Sequence, residues 1–130
     1  MILWFWMGKA VDMDKWQAIH SFWSGFGLPA YDETSVPDDA AAPYITYAAE
    51  TADFENQIPL TASIWYRSSS WREVSKKADE IARSLNRIIR LDDGLLYLMR
   101  GSPFAQRMAD PDESYRRIYI NLVAEFFTNY

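Results

Sequence analysis

A chain of 130 residues with 49% apolar side chains holds enough material for one hydrophobic core, and too much apolar surface for a disordered tract. It has no cysteine and a single histidine, which excludes a disulfide scaffold, a cysteine nucleophile and a Cys/His zinc site. The net charge of −5 argues against a general nucleic-acid binder, which carries a basic stripe.

The opening "MILWFWMGKAVD" has no basic residue before its apolar run and no small-residue cleavage site after it, so it does not read as a signal peptide. No stretch approaches the roughly 18 apolar residues of a spanning helix, and a soluble protein with no membrane partner is expected. "LWFW" reads as an edge strand or packed arm, with an arm docked on a neighbour as the alternative. Residues 13–27 predict a first helix, capped by Asp14 or Asp12, with Trp16, Ile19, Phe22, Trp23 and Phe26 on one stripe. Gly25, Gly27 and Pro29 supply its stop, and the polar stretch 30–43 reads as a surface loop with a short extended piece near Tyr31.

"PYITYAAE" (43–50) and "LTASIWYR" (60–67) both alternate as half-buried strands do. Ile45 and Tyr47 share one face, as do Leu60, Ala62, Ile64 and Tyr66. The two pair as a hairpin with an acidic tip over residues 50–58. Ser70 and Glu73 then match a capping box, opening a helix whose apolar face is Val74, Ala78, Ile81, Ala82, Leu85 and Ile88 or Ile89. Lys76, Lys77, Asp79, Glu80, Arg83 and Arg87 form its opposite face, read as ordinary solvated surface. Asp93-Gly94 signals a hairpin between two apolar runs, with "SPFAQRMAD" continuing the second arm past a bend at Gly101–Pro103. "SYRRIYINLVAEFFT" closes the chain as a strand with Ile118, Ile120, Leu122, Ala124 and Phe126 on one face.

The order α-β-β-α-β-β-β predicts one α+β domain spanning 1–130, an antiparallel sheet of about four to six strands with two main helices packed on it. Charge divides unevenly along it: residues 1–65 hold nine acidic and two basic side chains, residues 66–130 nine and eleven. That split suits plain solvation, or copies packing head to tail so that unlike surfaces meet.

No catalytic constellation emerges, so the chain is not expected to be an enzyme and no cofactor or metal is expected. His20 reads as a hydrogen-bonded structural histidine, and Ser68–Ser70 lack the surroundings of a nucleophile. The carboxylate groups Asp38-Asp39, Asp92-Asp93 and Asp110, Asp112, Glu113 each have a turn-forming explanation. A metal-dependent hydrolase built on them is the weaker enzymatic alternative. Aromatics beside arginines in "WYR" and "YRR" read as packing before they read as a single-strand binding platform. The chain is expected to work by shape and contact.

Three segments carry a resemblance: "PYITY" after a proline-containing loop, "IPLTASIWYRSSSWREVSKKADEIARSL", and "YRRIYINLVAEFF". With the intervening hairpin, their succession resembles the tail terminator (tail completion) proteins of long-tailed bacteriophages and prophages. The resemblance implies a structural virion protein, a homo-oligomeric ring (typically a hexamer) that caps the head-proximal end of the tail tube and ends its polymerisation. Its partners would be the major tail tube protein and head–tail connector proteins. It would reside in the virion tail, and in the host cytoplasm during assembly, with no specific nucleic-acid binding. Another neck component, a head–tail joining or minor capsid protein, is the alternative. By position, the implied contacts fall on Asp53, Phe54 and Glu55 and on Phe104, Arg107 and Asp110.

Overall fold

The computed structural model describes residues 13–48 and 57–128. Helix α1 (Lys15–Trp23) runs into a 3₁₀ turn (Ser24–Phe26), followed by β1 (Ala30–Asp32), β2 (Tyr44–Tyr47) and β3 (Gln57–Arg67). Helix α2 (Arg72–Arg83), β4 (Arg87–Leu91), β5 (Gly94–Met108) and β6 (Tyr115–Thr128) complete the chain. The class is α+β, as the hydrophobic periods require. No helix among the described residues is long and apolar enough to cross a membrane.

The six strands form one sheet in the order β1-β2-β3-β6-β5-β4. Its spine is the antiparallel β3–β6 pair, in register from Gln57↔Glu125 to Arg67↔Tyr115. Helix α2 packs over that spine, while α1 touches both edge strands, β1 and β4, so the sheet curls around it. Alternation sends Leu60, Ala62 and Ile64 of β3 and Ile118, Ile120, Leu122, Ala124 and Phe126 of β6 toward the helices, where all are buried. Ile19 and Trp23 of α1 and Val74 and Ile81 of α2 complete the core, each at most 1% exposed. Burying such a side chain is worth about 1.5–3 kcal/mol, so this one cluster supplies the main stabilising term.

Local chemistry sets the element ends. Asp14 caps α1 by accepting from the Gln17 amide at 2.8 Å, and the Gln17 side chain accepts from the Asp14 amide at 3.0 Å. Gly27 leaves the turn in the left-handed region at φ 76°, where glycine carries no Cβ penalty. Past Arg100, β5 shifts register before resuming at Ala105↔Ile120. At this bulge a Cβ on Gly101 would lie 2.5 Å from the Asn121 carbonyl oxygen, so only glycine lets the two backbones come this close.

Several expectations need correction. The capping box lies on α1 and not on α2: the N-cap of α2 is Trp71, and the Ser70 hydroxyl accepts instead from the Arg72 amide at 3.1 Å. The first helix is shorter than 13–27, and Trp16 is exposed rather than on the buried stripe, its place taken by Ala18. Helix α2 ends at Arg83, which puts Arg87, Ile88 and Ile89 on β4, with Ile88 turned outward. Residues 30–43 contain β1, which runs parallel to β2, adding one parallel pair to an otherwise antiparallel sheet. The β4–β5 turn is made by Asp92-Asp93, with Gly94 already paired to Leu91. The expected hairpin tip lies mostly in residues 49–56, outside the described residues.

Candidate functional site

The sheet's other face carries no helix among the described residues. Tyr31, Tyr44, Trp65 and Tyr115 form a row across four strands, Tyr44 and Trp65 as direct register partners, with rings 5.8 Å (Tyr31–Tyr44), 6.3 Å (Tyr44–Trp65) and 6.5 Å (Trp65–Tyr115) apart. Two arginines lie over the last two rings of this row. The Arg117 guanidinium lies 4.8 Å from the Trp65 ring centroid and donates to the Ser63 hydroxyl at 2.9 Å. That of Arg67 lies 5.0 Å from the Tyr115 ring and donates to its hydroxyl at 3.0 Å. Trp65 Nε1–H donates to the Thr46 hydroxyl at 3.0 Å, fixing the indole across β2. Desolvation raises the Tyr44 phenol above its ordinary pKa, with Tyr115, Tyr31 and Asp110 adding to it. The row is a half-buried platform with its cations gathered at the Trp65–Tyr115 end. Toward the β4–β5 turn the same face exposes Ile88, Leu95 and Phe127, the last two direct register partners.

A second feature lies where α2 begins. Ser70, Trp71, Arg72, Ser75, Lys76, Asp79 and Arg107 line an open cleft of about 500 Å³. Trp71 forms its wall, with the guanidinium of Arg107 4.9 Å and that of Arg116 5.4 Å from its ring. Such cation–π contacts hold a guanidinium in place without neutralising it. Arg116 is further tied to the Ser69 carbonyl at 3.0 Å and the Glu113 carbonyl at 2.8 Å. Arg107, Arg72 and Lys76 form no ion pair among the described residues.

Of the residues singled out by position, Arg107 enters this cleft. Phe104 lies on the same strand beneath the Arg100 guanidinium at 5.2 Å. Asp110 accepts from the Asp112 amide at 2.9 Å, in a turn where Asp112 also accepts from the Ser114 amide and hydroxyl. Those Ser114 bonds hold the Asp112 pKa below its ordinary value. Asp53, Phe54 and Glu55 lie outside the described residues. His20 is held by Tyr47 (Nδ1 to the hydroxyl, 2.6 Å) and Ser24 (Nε2 to the hydroxyl, 3.2 Å), the structural role its lone occurrence suggests. Among the described residues no three His, Cys, Asp or Glu side chains converge to hold a metal ion. Trp71 escaped sequence reasoning. Its only signal was an indole inside "SSSWRE", among residues otherwise suited to a helix start.

No protein-family model matches the chain, and no curated protein matches it. Among solved structures, it is similar to a chain of the virion of a native gene transfer agent (GTA) particle. The identity is 17%, the TM-score 0.53, and the match covers 83% of this chain and 83% of that chain. At that identity the likeness is one of fold.

Proposed function

We propose that this chain is a structural protein of a phage-like virion, and within it the tail terminator: a ring-forming subunit that caps the head-proximal end of the tail tube. The observation that carries the reading is the shared fold with a virion component along 83% of both chains. The segments "PYITY", the β3–α2 unit and the β6 strand supply the finer assignment by resemblance. The chemistry agrees in kind. The Asp110–Ser114 carboxylates serve a turn, and the prominent features are an aromatic platform and a basic cleft suited to contact.

The partners in this reading are further copies of the chain, a tail tube protein and a connector protein. Contacts are assigned to Asp53, Phe54 and Glu55 and to Phe104, Arg107 and Asp110. Deleting the gene from a particle-producing strain and imaging the particles tests the reading. Overlong tails or tails without heads are expected, and complementation with Glu55→Lys or Arg107→Glu should fail to restore them. Tails of normal length that do not join heads would favour a neck component instead. Normal particles would remove the virion reading altogether.

A further inference from the structure

The loop after β1 and the β5 edge with its cleft carry opposite net charge. The loop after β1 exposes Glu33, Asp38 and Asp39, and residues 30–43 include no basic side chain. Far along the sequence, Arg100 and Arg107 lie on β5, and Arg107 shares the Trp71 cleft with Arg72 and Lys76, three cations against the one carboxylate of Asp79. Both ion pairs among the described residues use lysines, Lys15–Asp93 and Lys77–Glu80. None of these four cations or three loop carboxylates is therefore paired in that way. The arginines lie over rings instead: Arg100 on Phe104 and Arg107 on Trp71. A guanidinium held over a ring keeps donors free for a carboxylate.

The backbone is open at the same place. Strand β4 pairs with β5 only from Gly94 to Leu98. At Met99 and Arg100, and from Ala105 to Met108, β5 pairs with β6 on one side and with no strand on the other among the described residues. An unpaired strand edge is a template for another polypeptide, which can use its amides and carbonyls as a phosphate backbone cannot.

We infer that the acidic loop 33–39 of one copy docks on the basic β5 edge and Trp71 cleft of the next. Asp38 and Asp39 would face Arg107, Arg72 and Lys76. The contact joins two different surfaces, so every open assembly keeps one free loop at one end and one free edge at the other, and association continues until a ring closes. This departs from the reading of the α2 charges as plain solvated surface. It also deepens the ring reading, and rests on it, by naming the contact between copies.

Because the chain has no cysteine, introduced thiols report the contact cleanly. The purified chain carrying both Ala41→Cys and Ala105→Cys, two exposed positions, is treated with a short bismaleimide at low salt. Denaturing electrophoresis should show a ladder of linked copies that fades with added salt. Each single-cysteine variant should stay unlinked. Adding Arg72→Glu and Arg107→Glu should cut the ladder at least about tenfold, as should Asp38→Lys with Asp39→Lys, and all four together should restore it. A missing ladder, a ladder indifferent to charge reversal, or efficient dimers from either single-cysteine variant would overturn the inference. So would competition by a short DNA duplex that abolishes the ladder at equimolar ratio. A ladder from a chain whose deletion leaves particles normal would overturn the tail reading alone, and a tail defect without a ladder would overturn this contact alone.

Discussion

Lys15 and Asp93 form an ion pair with Nζ 3.2 Å from Oδ2, their side chains only 8% and 17% exposed. The pair ties the first turn of α1 to the β4–β5 turn, and the Asp92 amide adds a bond to the Met13 carbonyl at 2.9 Å. Removing one partner of such a pair takes a counterion away from a charge that water reaches poorly. Lys15→Ala is expected to lower stability by about 3 kcal/mol in urea unfolding. Lys15→Met combined with Asp93→Asn should recover most of that loss, because both charges of the pair are then removed together. Equal losses in the single and double variants would show that the lysine stem, and not the charge pair, holds the helix.

Two glycines differ sharply from a third in what surrounds them. A Cβ on Gly94 would lie 1.9 Å from the Phe127 carbonyl oxygen, one on Gly101 2.5 Å from that of Asn121, and one on Gly25 would meet nothing within 4 Å. The first two contacts are with backbone, which cannot rotate away. Gly94→Ala should cost about 3 kcal/mol and Gly101→Ala about 2 kcal/mol, whereas Gly25→Ala should stay within about 0.5 kcal/mol of the parent. Thermal unfolding of the three variants checks the ranking, and a tolerated Gly94→Ala would contradict the close approach of β5 and β6.

The elements that were legible are those whose burial has a period. Ile118, Ile120, Leu122, Ala124 and Phe126 alternate through β6, and Val74, Ala78 and Ile81 recur through α2, because each faces one continuous core. Strand β1 was only glimpsed near Tyr31: three residues give no alternation, and their extended backbone is set by parallel pairing with Ile45, Thr46 and Tyr47. The Ser70–Glu73 spacing misled because Trp71 takes the N-cap, its ring set against Arg107 and Arg116 from strands distant in sequence. The candidate site was divided in the same way. Arg107 could be named from its place after a bend, but its company with Arg72 and Lys76 depends on how α2 lies against β5, which no local pattern encodes.

Tyr44, Tyr47 and Tyr66 all have phenol pKa values raised above 10.0, in each case chiefly by desolvation. Asp32 adds to the shift at Tyr47, and Glu73 and Glu80 add to it at Tyr66. For an acid whose folded pKa is raised, the folded state holds its proton longer than the unfolded chain. The associated stability is fully present below pH 10 and lost as pH climbs through the folded values. An ultraviolet titration should therefore show a late class of phenols that ionises above the ordinary tyrosine value. The late class should coincide with the onset of alkaline unfolding, and Tyr66→Phe should shrink it. A single uniform titration would refute the burial of these three phenols.

Trp65 makes two separable contributions to the aromatic platform. Its indole N–H donates to the Thr46 hydroxyl at 3.0 Å, and its ring lies between those of Tyr44 and Tyr115 with the Arg117 guanidinium 4.8 Å above. Trp65→Phe removes the hydrogen bond while keeping a ring, and should cost about 1 kcal/mol. Thr46→Val removes the same bond from the other side and should match it. Trp65→Ala also loses the ring contacts and the guanidinium's seat, and should cost about 3 kcal/mol. Combining Thr46→Val with Trp65→Phe should then cost little more than either alone, since one bond cannot be lost twice. Strictly additive costs in the urea midpoints would mean that each side chain is held by something other than its partner across β2 and β3.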